Sequence, residues 1–94
     1  MNQAYLISYD LGMPETAADY QKVISYIKSY SYWCKPLKSQ WIVLSSTKTS
    51  QDIVTDLRKL TDSNDKLLVI NVSKDSWWSS GLDKVVTEWM QKNM

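Results

Sequence analysis

Ninety-four residues with 44% apolar content make a single domain, 1–94, large enough to bury a core without metal or disulfide staples. Eleven basic against ten acidic residues leave a net charge of +1, and Arg58 is the sole arginine, so nucleic acid is not held here by broad phosphate neutralisation. With no histidine most zinc chemistry is excluded, and a lone cysteine, Cys34, excludes an internal disulfide framework.

The first element is Ala4-Tyr5-Leu6-Ile7-Ser8-Tyr9-Asp10-Leu11. Its aromatic and β-branched content favours a strand, and Gly12 and Pro14 stop it. Asp10 then stands at the C-terminal lip of a buried strand, where a carboxylate reaches solvent. Next, Thr16-Ala17-Ala18-Asp19 forms a capping-box helix start behind Pro14. Tyr20, Val23, Ile24, Ile27 and Tyr30 recur at helical spacing, with Lys22, Ser25 and Lys28 outside that stripe and facing water. The helix ends near Ser29 to Ser31.

Tyr32 to Lys38 reads as a short extended segment. Pro36 confines it to an edge or a bend, because proline gives no donor to a ladder. Ser39 to Ser46 follows as a central strand, joined to the previous one by a tight or bulged hairpin. Thr49-Ser50-Gln51-Asp52 opens a second helix lined by Ile53, Leu57 and Leu60. Asp62-Ser63-Asn64-Asp65 is a turn, and Lys66 to Val72 is the next strand. Asp75 to Gly81 is a loop carrying an exposed-looking pair, Trp77-Trp78. Leu82, Val85, Val86, Trp89 and Met90 line a final amphipathic helix.

This order predicts an α+β fold: a ferredoxin-like βαββαβ antiparallel sheet with two helices on one face, plus an extra C-terminal helix. Three of the strands are apolar on both sides, and two helices cover only one. The second face must therefore meet the final helix, a second protomer, or both, and a homodimer is expected. The N-terminus lacks a signal-peptide pattern and no apolar run approaches the ~20 residues of a membrane span, so a cytoplasmic protein with no membrane partner is expected.

At Tyr9-Asp10-Leu11 the chain resembles the small CRISPR-associated adaptation proteins and their ferredoxin-like endonuclease relatives. Those proteins open with an apolar strand closing on Tyr-Asp and an aliphatic residue. Their later segment in which Ser shortly precedes an aromatic is similar to Ser39 and Trp41 here. By element order the resemblance runs to about Val72. It implies a homodimer and, in some members, a metal-dependent nuclease acting on RNA or DNA. Carried over by position, Asp10 would be the catalytic, metal-binding carboxylate. The missing arginine-rich surface and the terminal helix depart from the family pattern and point to a stand-alone relative.

Without histidine, a catalytic metal would sit among oxygens, which suits Mg²⁺ or Mn²⁺. The expected topology sets Asp65, with Asp62 beside it, at the same rim as Asp10, and a dimer could bring two copies of Asp10 together. Ser8, Ser45, Ser46 and Lys48 are expected as rim neighbours, with Lys48 contacting phosphate. The alternative for Asp10 is a plain solvated post-strand carboxylate or a cap on the turn at Gly12. Trp77 and Trp78, with Lys35 and Lys38, are candidates for nucleic-acid or partner contact, and Trp41 and Trp89 for packing. Cys34 reads as structural, since no histidine can serve it as a base. Two functions stay open: a divalent-metal-dependent endonuclease, or a non-catalytic dimeric module that binds protein or nucleic acid.

Overall fold

Side-chain alternation in a strand decides which residues meet which helix, and here it sorts the chain into two cores. The computed structural model describes residues 2–12 and 17–94. The chain runs β1 (Gln3–Asp10), α1 (Ala17–Lys28), β2 (Trp33–Leu37), β3 (Gln40–Ser45), α2 (Ser50–Arg58), β4 (Lys66–Asn71) and α3 (Lys84–Asn93). The four strands form one antiparallel sheet in the order β2-β3-β1-β4, so β3 and β1 lie in its middle. The α+β class, with four antiparallel strands and three helices, agrees with the expectation from sequence. Pro14 and Thr16, assigned to the start of the first helix, lie outside the described residues.

On one face Tyr5, Ile7 and Tyr9 of β1 are buried with Trp41, Val43 and Val69. Val23 and Ile27 of α1 and Ile53 and Leu57 of α2 close over them. The stripe read from α1 is the buried one, and Lys22, Ser25 and Lys28 are exposed. The capping box of α2 is present: Thr49 Oγ1 accepts the Asp52 N–H at 3.1 Å, and Asp52 Oδ2 accepts the Thr49 N–H at 2.9 Å. Such reciprocal bonds occupy amides that a helix start otherwise leaves unpaired.

The other face is smaller. Ala4, Cys34 and Ile42 are buried against Met90 of α3, flanked by Leu44, Val86 and Trp89. The final helix therefore supplies a cover for the second face, packing against β2. It leaves the β4 half open: Leu68 is 56% and Ile70 43% exposed. Strand pairing sets these two opposite Ser8 and Leu6, on the α3 side of the sheet.

Two readings need correction. Val85 was counted in the apolar stripe of the last helix, yet it is exposed. The helix begins at Lys84, so Val86, Trp89 and Met90 hold the inward face, and Leu82 packs from the loop before it. The sequence presents Trp77 and Trp78 as an exposed-looking pair. Trp77 packs against the second core, while Trp78 is 97% exposed. Adjacent residues in an extended loop cannot both turn to one core.

Candidate functional site

Asp10 ends β1 exposed to solvent, directly opposite Lys66 at the start of β4. The β2–β3 hairpin reaches the same end, where Tyr9 N–H donates to the Ser39 carbonyl at 3.2 Å. A shallow cleft there is lined by Ser8, Tyr9, Asp10, Lys66, Leu67 and Leu68. The predicted juxtaposition of β1's end with β4's start thus holds at the backbone.

The chemistry around it is divided. Asp65 is buried, with its two oxygens at 2.7 Å from the backbone N–H groups of Gly12 and Asp62. Its own carbonyl accepts from Arg58 Nη2 at 3.0 Å, and Arg58 Nη1 also donates to the Asp62 carbonyl. Asp65 is a latch between the end of β1 and the turn before β4. Among the described residues no group of three or more Asp, Glu or Cys side chains is placed to hold a metal ion.

Ser45, Ser46 and Lys48 are not neighbours of Asp10. Ser45 pairs with Gln3, at the opposite end of β1 from the Asp10–Lys66 pair. Seven strand steps separate the two ends, roughly 24 Å. Antiparallel pairing sends the end of β3 back to the start of β1, so the residues that follow β3 gather at the far end of the sheet from Asp10.

The other candidate contacts are placed as follows. Lys35 Nζ lies 5.2 Å from the Trp41 ring and Lys28 Nζ 5.3 Å from the Trp33 ring. The two indoles meet edge to face at 5.5 Å, so the aromatic pair sits between two ammonium groups. Lys38 is exposed in the β2–β3 turn. Trp77 and Trp78 border an apolar groove of about 400 Å³ with Leu6, Leu37, Met90 and Met94.

A second site was not read from the sequence. A cleft of about 480 Å³ opens between the end of α1 and the loop leading into α2. At its floor Tyr26 OH donates to Asp56 Oδ2 at 2.7 Å, and Lys48 Nζ donates to the same oxygen at 2.8 Å. Tyr30 OH lies 2.6 Å from Tyr26 OH. Tyr26 has one proton, which it gives to Asp56, so Tyr30 is the donor between the two phenols. The loop is pinned from below: Tyr5 OH donates to the Lys48 carbonyl at 2.7 Å, and Ser45 Oγ accepts the Thr47 and Lys48 N–H groups at 3.2 and 3.0 Å.

Each member is held in one protonation state. Burial, then the Tyr30 and Asp56 bonds, pushes the Tyr26 phenol far above its ordinary range, and burial raises Tyr30 as well. The Lys48 bond, then that of Tyr26, holds Asp56 below the usual carboxylate value, and the Asp56 bond raises Lys48. Two tyrosines four apart, Tyr26 near the end of α1 and Tyr30 just past it, with a lysine before and an aspartate inside α2, were the available signal. It was hidden because Tyr30 also fits the apolar stripe.

No described helix is long and apolar enough to cross a membrane. No protein-family model matches this chain, and no curated protein or solved structure is significantly similar to it.

Proposed function

We propose that this chain is a ferredoxin-like interaction module that works as a homodimer through the outer edge of β4, a non-catalytic stand-alone relative of the CRISPR-associated adaptation proteins. What supports the ferredoxin-like reading is that β1 and β3 are central, α1 and α2 share one face, and α3 is an appendage on the other. What carries the dimer is the contrast between the two sheet edges. On β2, Pro36, a register shift between Cys34 and Leu37, and Lys35 interrupt the ladder. These are the devices that keep an edge from pairing with another chain. β4 has neither proline nor register shift: Lys-Leu-Leu-Val-Ile-Asn carries its one charge at its first residue, with Leu68 and Ile70 exposed. An unprotected apolar edge is a template for another strand, and an antiparallel copy of β4 centred on Val69 sets Leu68 of each chain against Ile70 of the other.

Sedimentation equilibrium tests this. The wild-type chain should run at twice the chain mass, and Leu68→Lys with Ile70→Lys, which sets like charges opposite one another, at the chain mass with an unchanged circular dichroism spectrum. A wild-type monomer at high concentration overturns the dimer.

A second reading is favoured by the exposure of Asp10 at the strand end: a homodimeric endonuclease cleaving RNA or DNA with Mg²⁺ or Mn²⁺. Its test is cleavage of single-stranded RNA and duplex DNA by wild type and Asp10→Ala. Loss of metal-dependent cleavage in the mutant supports it, and equal activity in both removes Asp10 from the chemistry.

A further inference from the structure

We propose that the cleft between the end of α1 and the loop before α2 binds an uncharged, hydroxyl-rich ligand, a sugar either free or as the ribose of a nucleoside, through Asp56, Lys48 and Tyr30. The proposal is independent of β4 pairing, since the cleft lies at the far end of the sheet from the Asp10 rim and touches no β4 residue.

The charge balance selects the ligand class. Among the described residues Lys48 is the only side-chain cation lining the cleft, and Asp56 the only anion, with Nζ and Oδ2 2.8 Å apart. A phosphate drawn to Lys48 would meet the Asp56 carboxylate, and a cation drawn to Asp56 would meet the ammonium. A neutral group that both donates and accepts satisfies the two together, and a hydroxyl is such a group. Capacity for it is present. One of three ammonium protons of Lys48 goes to Asp56, and Asp56 Oδ1 receives none of the bonds that hold Oδ2. Tyr30 donates to Tyr26 and keeps its oxygen lone pairs as acceptors. The adjacent hydroxyls of a sugar match this alternation of donor and acceptor.

Two further features fit. Ser29, Ser31, Ser46 and Thr47 line the walls with hydroxyls. Tyr32, 54% exposed at the same cleft, offers a ring face for the apolar side of a sugar. The floor is fixed in place by the Tyr5 and Ser45 bonds to the loop, so little ordering is required on binding.

The experiment is a titration of the ¹⁵N-labelled chain, followed by its amide signals, with ribose, glucose, adenosine, 2′-deoxyadenosine and inorganic phosphate. Saturable shifts at Ser31, Thr47 and Lys48 are expected with at least one sugar-bearing probe. Tyr30→Phe should weaken binding about five-fold by removing one neutral hydrogen-bonding group, and Asp56→Ala about ten-fold or more by removing a charged one. Response to free sugars assigns a saccharide, and adenosine above 2′-deoxyadenosine without response to free sugars assigns ribose. Either upholds the proposal. It is overturned by silence of these amides up to about 50 mM, well beyond the millimolar range of weak ligands. It is also overturned by equal shifts from phosphate, by equal response to adenosine and its 2′-deoxy form without response to free sugars, or by undiminished binding in folded Tyr30→Phe.

Discussion

Asp65 Oδ1 accepts the backbone N–H of Gly12 at 2.7 Å across 53 positions of sequence, tying the end of β1 to the turn that feeds β4. Its second oxygen takes the Asp62 N–H, so one buried carboxylate pairs two amides of different loops. Asp65→Ala leaves both donors without that partner and should cost about 2–4 kcal/mol in urea unfolding, the range for losing charge-assisted bonds at a buried group. Gly12→Ala should also destabilise: an added Cβ would lie 2.5 Å from Asn64 Nδ2 and 2.8 Å from the Asn64 carbonyl oxygen. A loss below about 0.5 kcal/mol for Asp65→Ala, the size of a neutral surface change, would refute the latch.

The latch shows which layer of the molecule a linear reading reaches. Strands such as Tyr5–Tyr9 and helices such as the Val23–Ile27 stripe were legible because their periodicity is written in adjacent residues, and the Thr49–Asp52 box because its bonds are local. The rim neighbours of Asp10 were misplaced because they depend on register, and Gln3↔Ser45 is a pairing 42 positions apart (45 − 3). Asp65 carried the signature of a turn former and proved to bond beyond its own turn. The Tyr26–Asp56–Lys48 cluster joins α1 to α2, and nothing local signals that Tyr26 bonds Asp56, 30 positions away. Periodicity tells a residue which face it occupies; it does not say which distant side chain shares that face.

The adjacent tryptophans separate packing from exposure. Trp77 packs against the core formed by Ala4, Cys34, Ile42 and Met90, whereas Trp78 is 97% exposed. Trp77→Ala should lower stability by about 1–3 kcal/mol, less than a fully buried aromatic loses because Trp77 is half-buried. Trp78→Ala should stay within about 0.5 kcal/mol. Thermal unfolding of the two variants, side by side, checks the contrast. Equal losses would mean that Trp78 is packed.

Cys34 sits in the same small core, and burial pushes its thiol up to about 11, against a partial lowering by its hydrogen bond with the Ile42 backbone. The thiolate is the reactive form, so the native chain should react slowly with iodoacetamide at pH 8, and rapidly once urea unfolds it. The sign for stability follows. The unfolded thiol ionises first as pH rises, near about 8.5, while the folded one stays neutral. The thiol therefore disfavours folding progressively between that value and the folded one, and Cys34→Ala should narrow its stability deficit over that interval. Native alkylation as fast as unfolded alkylation would contradict the burial.

Asp56 and Lys48 give the pH dependence a definite shape. Asp56 has a folded pKa below its unfolded value, chiefly through the Lys48 bond and then the Tyr26 bond. Its contribution is therefore complete above about pH 4, the unfolded carboxylate range, and is lost as pH falls through the folded value. Lys48 is raised, first by the Asp56 bond, so its contribution is complete below about pH 10.4 and fades as pH climbs through the folded value. The difference in unfolding free energy between wild type and Asp56→Asn should form a plateau from about pH 5 to 9 and shrink on both sides. Because the pair is partly exposed, with side chains 41% and 23% accessible, molar salt should lower the plateau by screening the ammonium–carboxylate attraction. The Tyr26 bond is a direct contact that salt screens little, so a remnant of the plateau should persist in wild type and vanish in Tyr26→Phe. A flat difference from pH 2 to 11 would mean that the carboxylate does not sense Lys48 in solution.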